Sequence, residues 1–130
     1  GFPFMMISEA SLRHLNEKLV AKGQQKVPMD RFRPNVVFSG AEPHQEDTFS
    51  QVRIGNVLFE GKKLCDRCVV TCTDQMTAVQ SAEPLRTLAS YRRGSHVGLL
   101  SEGANKVYFG RNFDHRNTGI IRVDDLVEVI

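Results

Sequence analysis

The spacing of apolar positions changes several times along the chain, and each change predicts an element. After Ser8, Leu12, Leu15 and Leu19 fall on one stripe of a helix of about three turns, with Ser8 as its N-cap. Gly23 and Pro28 end it, because glycine suits the left-handed exit and proline cannot continue the ladder. Phe2 to Met5, ahead of this helix, read as the beginning of a strand. From Pro34 the period shortens: Val36, Val37 and Phe38 predict a buried strand closed by Ser39 and Gly40. Glu42 to Asp47 read as a polar loop, and Val52, Ile54, Val57 and Phe59 bracket a Gly55-Asn56 turn, which predicts a hairpin.

Further on, Cys68, Val70 and Cys72 alternate with Val69, Thr71 and Thr73, so Cys68 to Thr73 is expected to be a strand. Ser81 to Arg93 predicts a short second helix with Pro84 in its first turn and Leu85, Leu88 and Tyr91 on one face. Lys106 to Phe109, Gly119 to Val123 and Leu126 to Ile130 complete the expected strands. Many short strands with two helices point to a mainly β, α+β fold: a curled, barrel-like sheet with peripheral helices rather than a doubly wound parallel sheet.

Composition narrows the function classes. Seventeen basic against fifteen acidic residues leave a net charge of +2, so the electrostatic footprint of a nucleic-acid binder is lacking. Apolar runs such as Val97 to Leu100 fall far short of the ~20 residues of a membrane helix, which predicts a soluble, cytoplasmic chain without a membrane partner. Residues 1–130 read as one domain, and the Gly1 start running straight into a strand pattern predicts excision from a longer protein.

The three cysteines are clustered in Cys65-Asp66-Arg67-Cys68 and Cys72, not arranged as a disulfide framework. Several readings compete. Structural zinc lacks a second ligand pair, since His44, His96 and His115 have no paired spacing. A dithiol needs a helix N-terminus where a strand is expected. A single reactive thiolate at Cys68, with Lys62, Lys63 and Arg67 favouring the anion and Asp66 opposing it, competes with ordinary buried cysteines. Cys72 reads as packing.

Arg31-Phe32-Arg33-Pro34-Asn35 combines guanidinium groups with a stiff proline, which suits recognition of phosphate or carboxylate but equally a solvated loop. Arg92-Arg93 and Arg111-Asn112 would extend an anion site or be exposed charges, and Glu46-Asp47 would organise a loop or a turn. His14 reads as a surface residue, and the other histidines as loop residues without an evident partner. No phosphate loop or Ser-His-Asp order occurs, and no lysine sits in a pyridoxal phosphate context, so that cofactor is not expected.

Taken in order, Ser8-Glu9-Ala10-Ser11-Leu12, Arg31-Phe32-Arg33-Pro34-Asn35, Glu46-Asp47, Ile54-Gly55, Cys65-Asp66-Arg67-Cys68, Glu83-Pro84-Leu85, Tyr91-Arg92 and Phe109-Gly110-Arg111-Asn112 resemble the MOSC domain family, especially its YcbX-like and amidoxime-reducing branches. The resemblance spans nearly the whole chain. It departs at Thr71-Cys72-Thr73-Asp74, Thr77-Ala78 and Val123-Asp124-Asp125, where relatives carry other residues.

The resemblance implies a β-barrel-like MOSC fold, a molybdenum cofactor (molybdopterin) with Cys68 as metal ligand and catalytic centre, and cofactor binding by Arg33, Asn35, Arg67 and Asn112. It implies an N-terminal β-barrel domain in the parent protein, an N-hydroxylated small-molecule substrate, and electrons from a donor protein or ferredoxin domain. Two other functions stand beside the molybdenum-dependent reductase: a sulfur or cofactor carrier with a persulfide on Cys68, and a non-catalytic structural domain.

Overall fold

The computed structural model describes residues 3–74, 76–79, 81–99 and 103–130, apart from the side chains of Val69 and Val70. Strand β1 (Phe4–Ser8) leads into helix α1 (Glu9–Ala21), then β2 (Val36–Phe38), β3 (Gln51–Ile54), β4 (Val57–Arg67), α2 (Leu85–Tyr91), β5 (Val107–His115) and β6 (Val127–Val129). The expected start of β1 at Phe2 lies outside the described residues.

The strands form one sheet in the order β2-β1-β5-β4-β3-β6. β1 and β2 are parallel across the α1 crossover, and the other neighbours are antiparallel. Phe38 of one edge strand and Val127 of the other pack on the same core as Met6, Val52, Ile54, Val57, Phe59 and Phe113, so the sheet curls until its edges flank one interior. This is the expected barrel-like α+β architecture.

A second core lies on the outer face. Met5 and Ile7 of β1, alternating with inward Met6, meet Leu15 and Leu19 of α1, Leu88 of α2, Phe32 and Phe109. The two long strands serve both cores by changing face. Val107 and Phe109 pack under the helices while Phe113, of the same parity, packs in the barrel. Only an irregular step allows this, and Gly110 at φ +91° supplies it on β5, opposite register shifts between Gly61 and Asp66 on β4.

Ser8 caps α1 as expected, its hydroxyl accepting from Ser11 N. The hairpin also forms, with Ile54 opposite Val57 and Gly55 at φ +57°, the positive φ a two-residue turn requires at its first position.

Four expectations are corrected. Cys68 to Thr73 is not a strand: β4 ends at Arg67, and Val69–Cys72 form a 3-10 turn because Thr71 donates both N–H and hydroxyl back to the Cys68 carbonyl. Gly119 to Val123 is irregular, closing instead in a turn where Arg122 N donates to the Asp125 carboxylate. The second helix is confined to Leu85–Tyr91, with Pro84 ahead of it rather than in its first turn. The polar loop contains a 3-10 turn, Gln45–Thr48. Among the described residues no helix is long and apolar enough to cross a membrane.

Candidate functional site

Cys68 is exposed at the first residue beyond β4. Its carbonyl is held by Thr71, so the backbone is fixed while the thiol faces outward. Cys65 is partly buried against the helix-side core, and burial pushes its thiol up, opposed by Arg67 and by a hydrogen bond from Asn112. Cys72 is buried, as the packing reading expects. The Cys-x-x-Cys pair is followed by a single 3-10 turn, not by the α-helix N-terminus a thioredoxin-like dithiol uses.

Arg67 fixes the strand end. Its Nε donates to the Phe109 carbonyl at 2.8 Å and its Nη1 to the Phe32 carbonyl at 2.9 Å. Nη2 reaches Met5 Sδ at 3.2 Å, and the guanidinium lies over the Phe32 ring, 5.2 Å from its centroid. The arginine fork thus joins β4, β5, β1 and the 3-10 turn Met29–Phe32, and its nitrogens are committed to protein atoms.

Arg33 follows that turn with its side chain exposed, in the left-handed region at φ +50°, a conformation uncommon outside glycine and often met at functional sites. Asn35 acts on β1: its N–H donates to the Met5 carbonyl at 2.8 Å, and its Oδ1 accepts from Met5 N at 2.8 Å. Its side chain extends the β1–β2 ladder by one rung. Asn112 stands opposite Met5 on β5, near enough to Cys65 to favour its thiolate.

Met5 is therefore the residue that sequence reasoning missed. Through its sulfur, both backbone groups and its register partner it connects Arg67, Asn35 and Asn112. Nothing in its sequence context marks it, since an apolar strand residue with such neighbours looks like any other. Asn35, Arg67 and Asn112, distant along the chain, thus meet at Met5, while Arg33 follows Phe32, whose carbonyl Arg67 holds, and Cys68 follows Arg67 directly.

The other arginines go elsewhere. Arg92 is buried, pairing with Asp47 at 2.8 Å and donating to the Tyr108 carbonyl, while Arg111 donates to the Asp47 carbonyl. They are internal braces, not exposed charges or an anion site. Burial raises the Asp47 carboxyl above its usual range against the opposing Arg92. Glu46 is fully buried, its carboxylate accepting from Ser8 N, Ser8 Oγ and Ser11 Oγ. Lys62, expected to favour the Cys68 anion, is bound to Glu60 at 2.6 Å.

Two histidine expectations are also corrected. His14 is half-buried, its ring edge-on to Tyr91 at 5.5 Å. His44 has aromatic partners: it packs on His14, Tyr91 and Phe109.

Among the described residues, no three His, Cys, Asp or Glu side chains are grouped to hold a metal ion. The arrangement offers one outward thiol on a rigid strand end instead. That chemistry suits a nucleophile, or a single sulfur ligand to a metal that brings the rest of its coordination sphere with it.

Comparison with known proteins agrees with this architecture. The MOSC domain model matches residues 1–128. The human mitochondrial amidoxime-reducing component 1 is 39% identical over 129 residues, covering 98% of this chain and 37% of the relative. The rat mitochondrial amidoxime reducing component 2 is 40% identical over 131 residues, covering 96% of this chain and 36% of the relative. A rice molybdenum cofactor sulfurase is 45% identical over 123 residues, 82% of this chain and 15% of that protein. The chain thus spans little more than a third of the amidoxime-reducing relatives and less of the sulfurase. On the family match, the shared motifs and the curled sheet together, the chain belongs to the MOSC domain family.

Proposed function

We propose that this chain is the cofactor-binding module of a molybdenum-dependent reductase of N-hydroxylated compounds, with Cys68 as the protein ligand to the metal. The observation that carries this reading is the exposed Cys68 thiol on a strand end clamped by Arg67, with no cluster of three protein metal ligands among the described residues. A metal held by protein side chains alone does not fit such a donor set. A molybdenum centre already bound by dithiolene sulfur does, because it needs one soft thiolate from the protein. The names of the amidoxime-reducing relatives support the substrate class.

In this reading Arg33, exposed beside the strand end, supplies positive charge to the cofactor's phosphate. Asn35 offers its amide NH₂, since its oxygen is engaged with Met5. Arg67 acts from beneath, as a positioning residue for Cys68, and Asn112 stands opposite Met5 on the neighbouring strand. When bound, the cofactor supplies the two-electron removal of oxygen from the N-hydroxylated substrate, and the whole parent protein supplies the route for electrons from its donor.

The test is the molybdenum and pterin content of the full-length protein from a cofactor-producing host, beside Cys68→Ser, with turnover of an amidoxime by both. Metal near stoichiometry in the wild type and lost in the variant is expected. Absence of metal and turnover in the wild type overturns the reading.

A second reading rests on the exposure of Cys68 and the kinship to molybdenum cofactor sulfurases: a carrier that holds a persulfide on that thiol. Intact mass after incubation with a cysteine desulfurase and cysteine tests it, a gain of one sulfur absent from Cys68→Ser being the expected mark.

A further inference from the structure

A groove of about 790 Å³ runs beneath α2, beside the strand end that carries Cys68. Its lining includes Cys72, Leu85, Ala89 and Val107, which give an apolar floor, and Arg67 reaches it from the β4 end. Arg86, Arg93 and Lys106 stand on its rim, all exposed. The Arg93 guanidinium donates to the Asn105 carbonyl, while no ion pair engages Arg86 or Lys106 among the described residues. Among the described residues, no carboxylate lines it.

This separation of charge is unlike the rest of the molecule, whose net charge is only +2. Buried Arg92 and half-buried Arg31 have carboxylate partners in Asp47 and Asp74, and exposed Arg53 pairs with Glu128. The groove rim, among the described residues, sets Arg86, Arg93 and Lys106 over an apolar surface. Such a surface is complementary to an acidic protein face that places an apolar side chain on the floor between its carboxylates.

We infer that this groove docks the acidic face of the protein that delivers electrons to the site at Cys68. The inference rests on the reductase reading for the partner's task, and on the groove itself for the partner's charge. Val107, on the groove floor, pairs with Arg67 in the β4–β5 ladder, and Arg67 directly precedes Cys68. A carrier seated there stands next to the metal ligand. The rim charges steer its approach, so the association rate falls as salt rises.

The experiment uses the full-length, cofactor-loaded protein and the double variant Arg86→Glu, Lys106→Glu, neither residue belonging to the cofactor site. Amidoxime reduction is driven in parallel by reduced benzyl viologen, a small reductant that needs no docking, and by reduced plant-type [2Fe–2S] ferredoxin, an acidic one-electron carrier. The expected result is a KM for ferredoxin raised about tenfold or more in the variant at low salt. Viologen-driven turnover and the KM for amidoxime stay within about twofold. Wild-type ferredoxin KM rises with ionic strength and the variant's does not.

Equal ferredoxin KM values in the two proteins, or a wild type indifferent to ferredoxin, overturn the inference. If viologen drives no turnover in the wild type, the reductase reading fails on its own. Titration of ferredoxin into the ¹⁵N-labelled protein then decides the groove separately: shifts at Ala89 and Val107 that vanish in the double variant support docking, and their absence refutes it.

Discussion

Arg67 Nη1 lies 2.9 Å from the Phe32 carbonyl, and this bond ties the end of β4 to the loop that carries Arg33. The same guanidinium holds Phe109 on β5. Replacing Arg67 with Met strands both carbonyls and is expected to cost about 2–4 kcal/mol, read as a lower urea midpoint at unchanged m-value. Lysine keeps the charge but not the fork, so Arg67→Lys recovers only part of the loss. A change below about 0.5 kcal/mol in Arg67→Met, the level of an ordinary surface substitution, contradicts the clamp.

The cysteines separate stability from function. Cys68→Ser alters an exposed thiol and is expected to move stability by no more than about 0.5 kcal/mol while abolishing molybdenum retention. Cys72→Ser puts a hydroxyl into a buried site and is expected to cost about 1–2 kcal/mol. Denaturant midpoints of the two variants, measured side by side, check this; equal losses contradict the assignment.

Gly110 combines φ +91° with close quarters. A Cβ there would stand 2.8 Å from Met5 Sδ and 2.9 Å from Ile7 Cγ1. Gly110→Ala is therefore expected to lose about 2–4 kcal/mol, from backbone strain and displaced packing together, and to shift amide resonances of β1. A thermal midpoint within error of the wild type would show that the face change on β5 does not depend on glycine.

His44 sets an acid limit on the fold. Burial, then Arg92 and His14, lower its pKa to about 3, and neither ring nitrogen has a hydrogen-bond partner among the described residues. The folded protein keeps the ring neutral while the unfolded chain takes a proton below its ordinary 6.5. The unfolded state binds more protons across that window, so stability is retained above pH 6.5 and falls as pH drops towards 3. Asp47, shifted upward by burial, acts in the opposite sense, so the cleanest interval is the upper part of the window. Urea unfolding at pH 7.5, 6 and 5 should show a falling midpoint in the wild type and a flatter one in His44→Phe.

Where apolar spacing was regular and local, the sequence was sufficient: α1, its Ser8 cap and the Gly55-Asn56 hairpin follow from side chains a few positions apart. The family motifs showed the family over nearly the whole chain, which spacing alone could not. Cys68 to Thr73 misled because its β-branched alternation is real, but the Thr71 bonds to the Cys68 carbonyl outweigh it. Gly119 to Val123 misled because apolar residues on an exposed turn look, in one dimension, like a strand edge. Met5 could not have been found, since its part in the site comes from Asn35, Arg67 and Asn112, all distant along the chain. The roles of Arg92 and Asp47 were hidden for the same reason.

The place of β1 in the sheet imposes an order of assembly. Its free edge, left open after β1, α1 and β2 have come together, is filled by β5, which pairs Phe4 with Phe113. During synthesis the N-terminal unit must therefore wait, its central strand half-satisfied, until almost the whole domain has emerged. Closure of so long a loop makes folding slow relative to a domain built from neighbours, and ribosome-bound chains ending before β5 should be aggregation-prone and protease-sensitive.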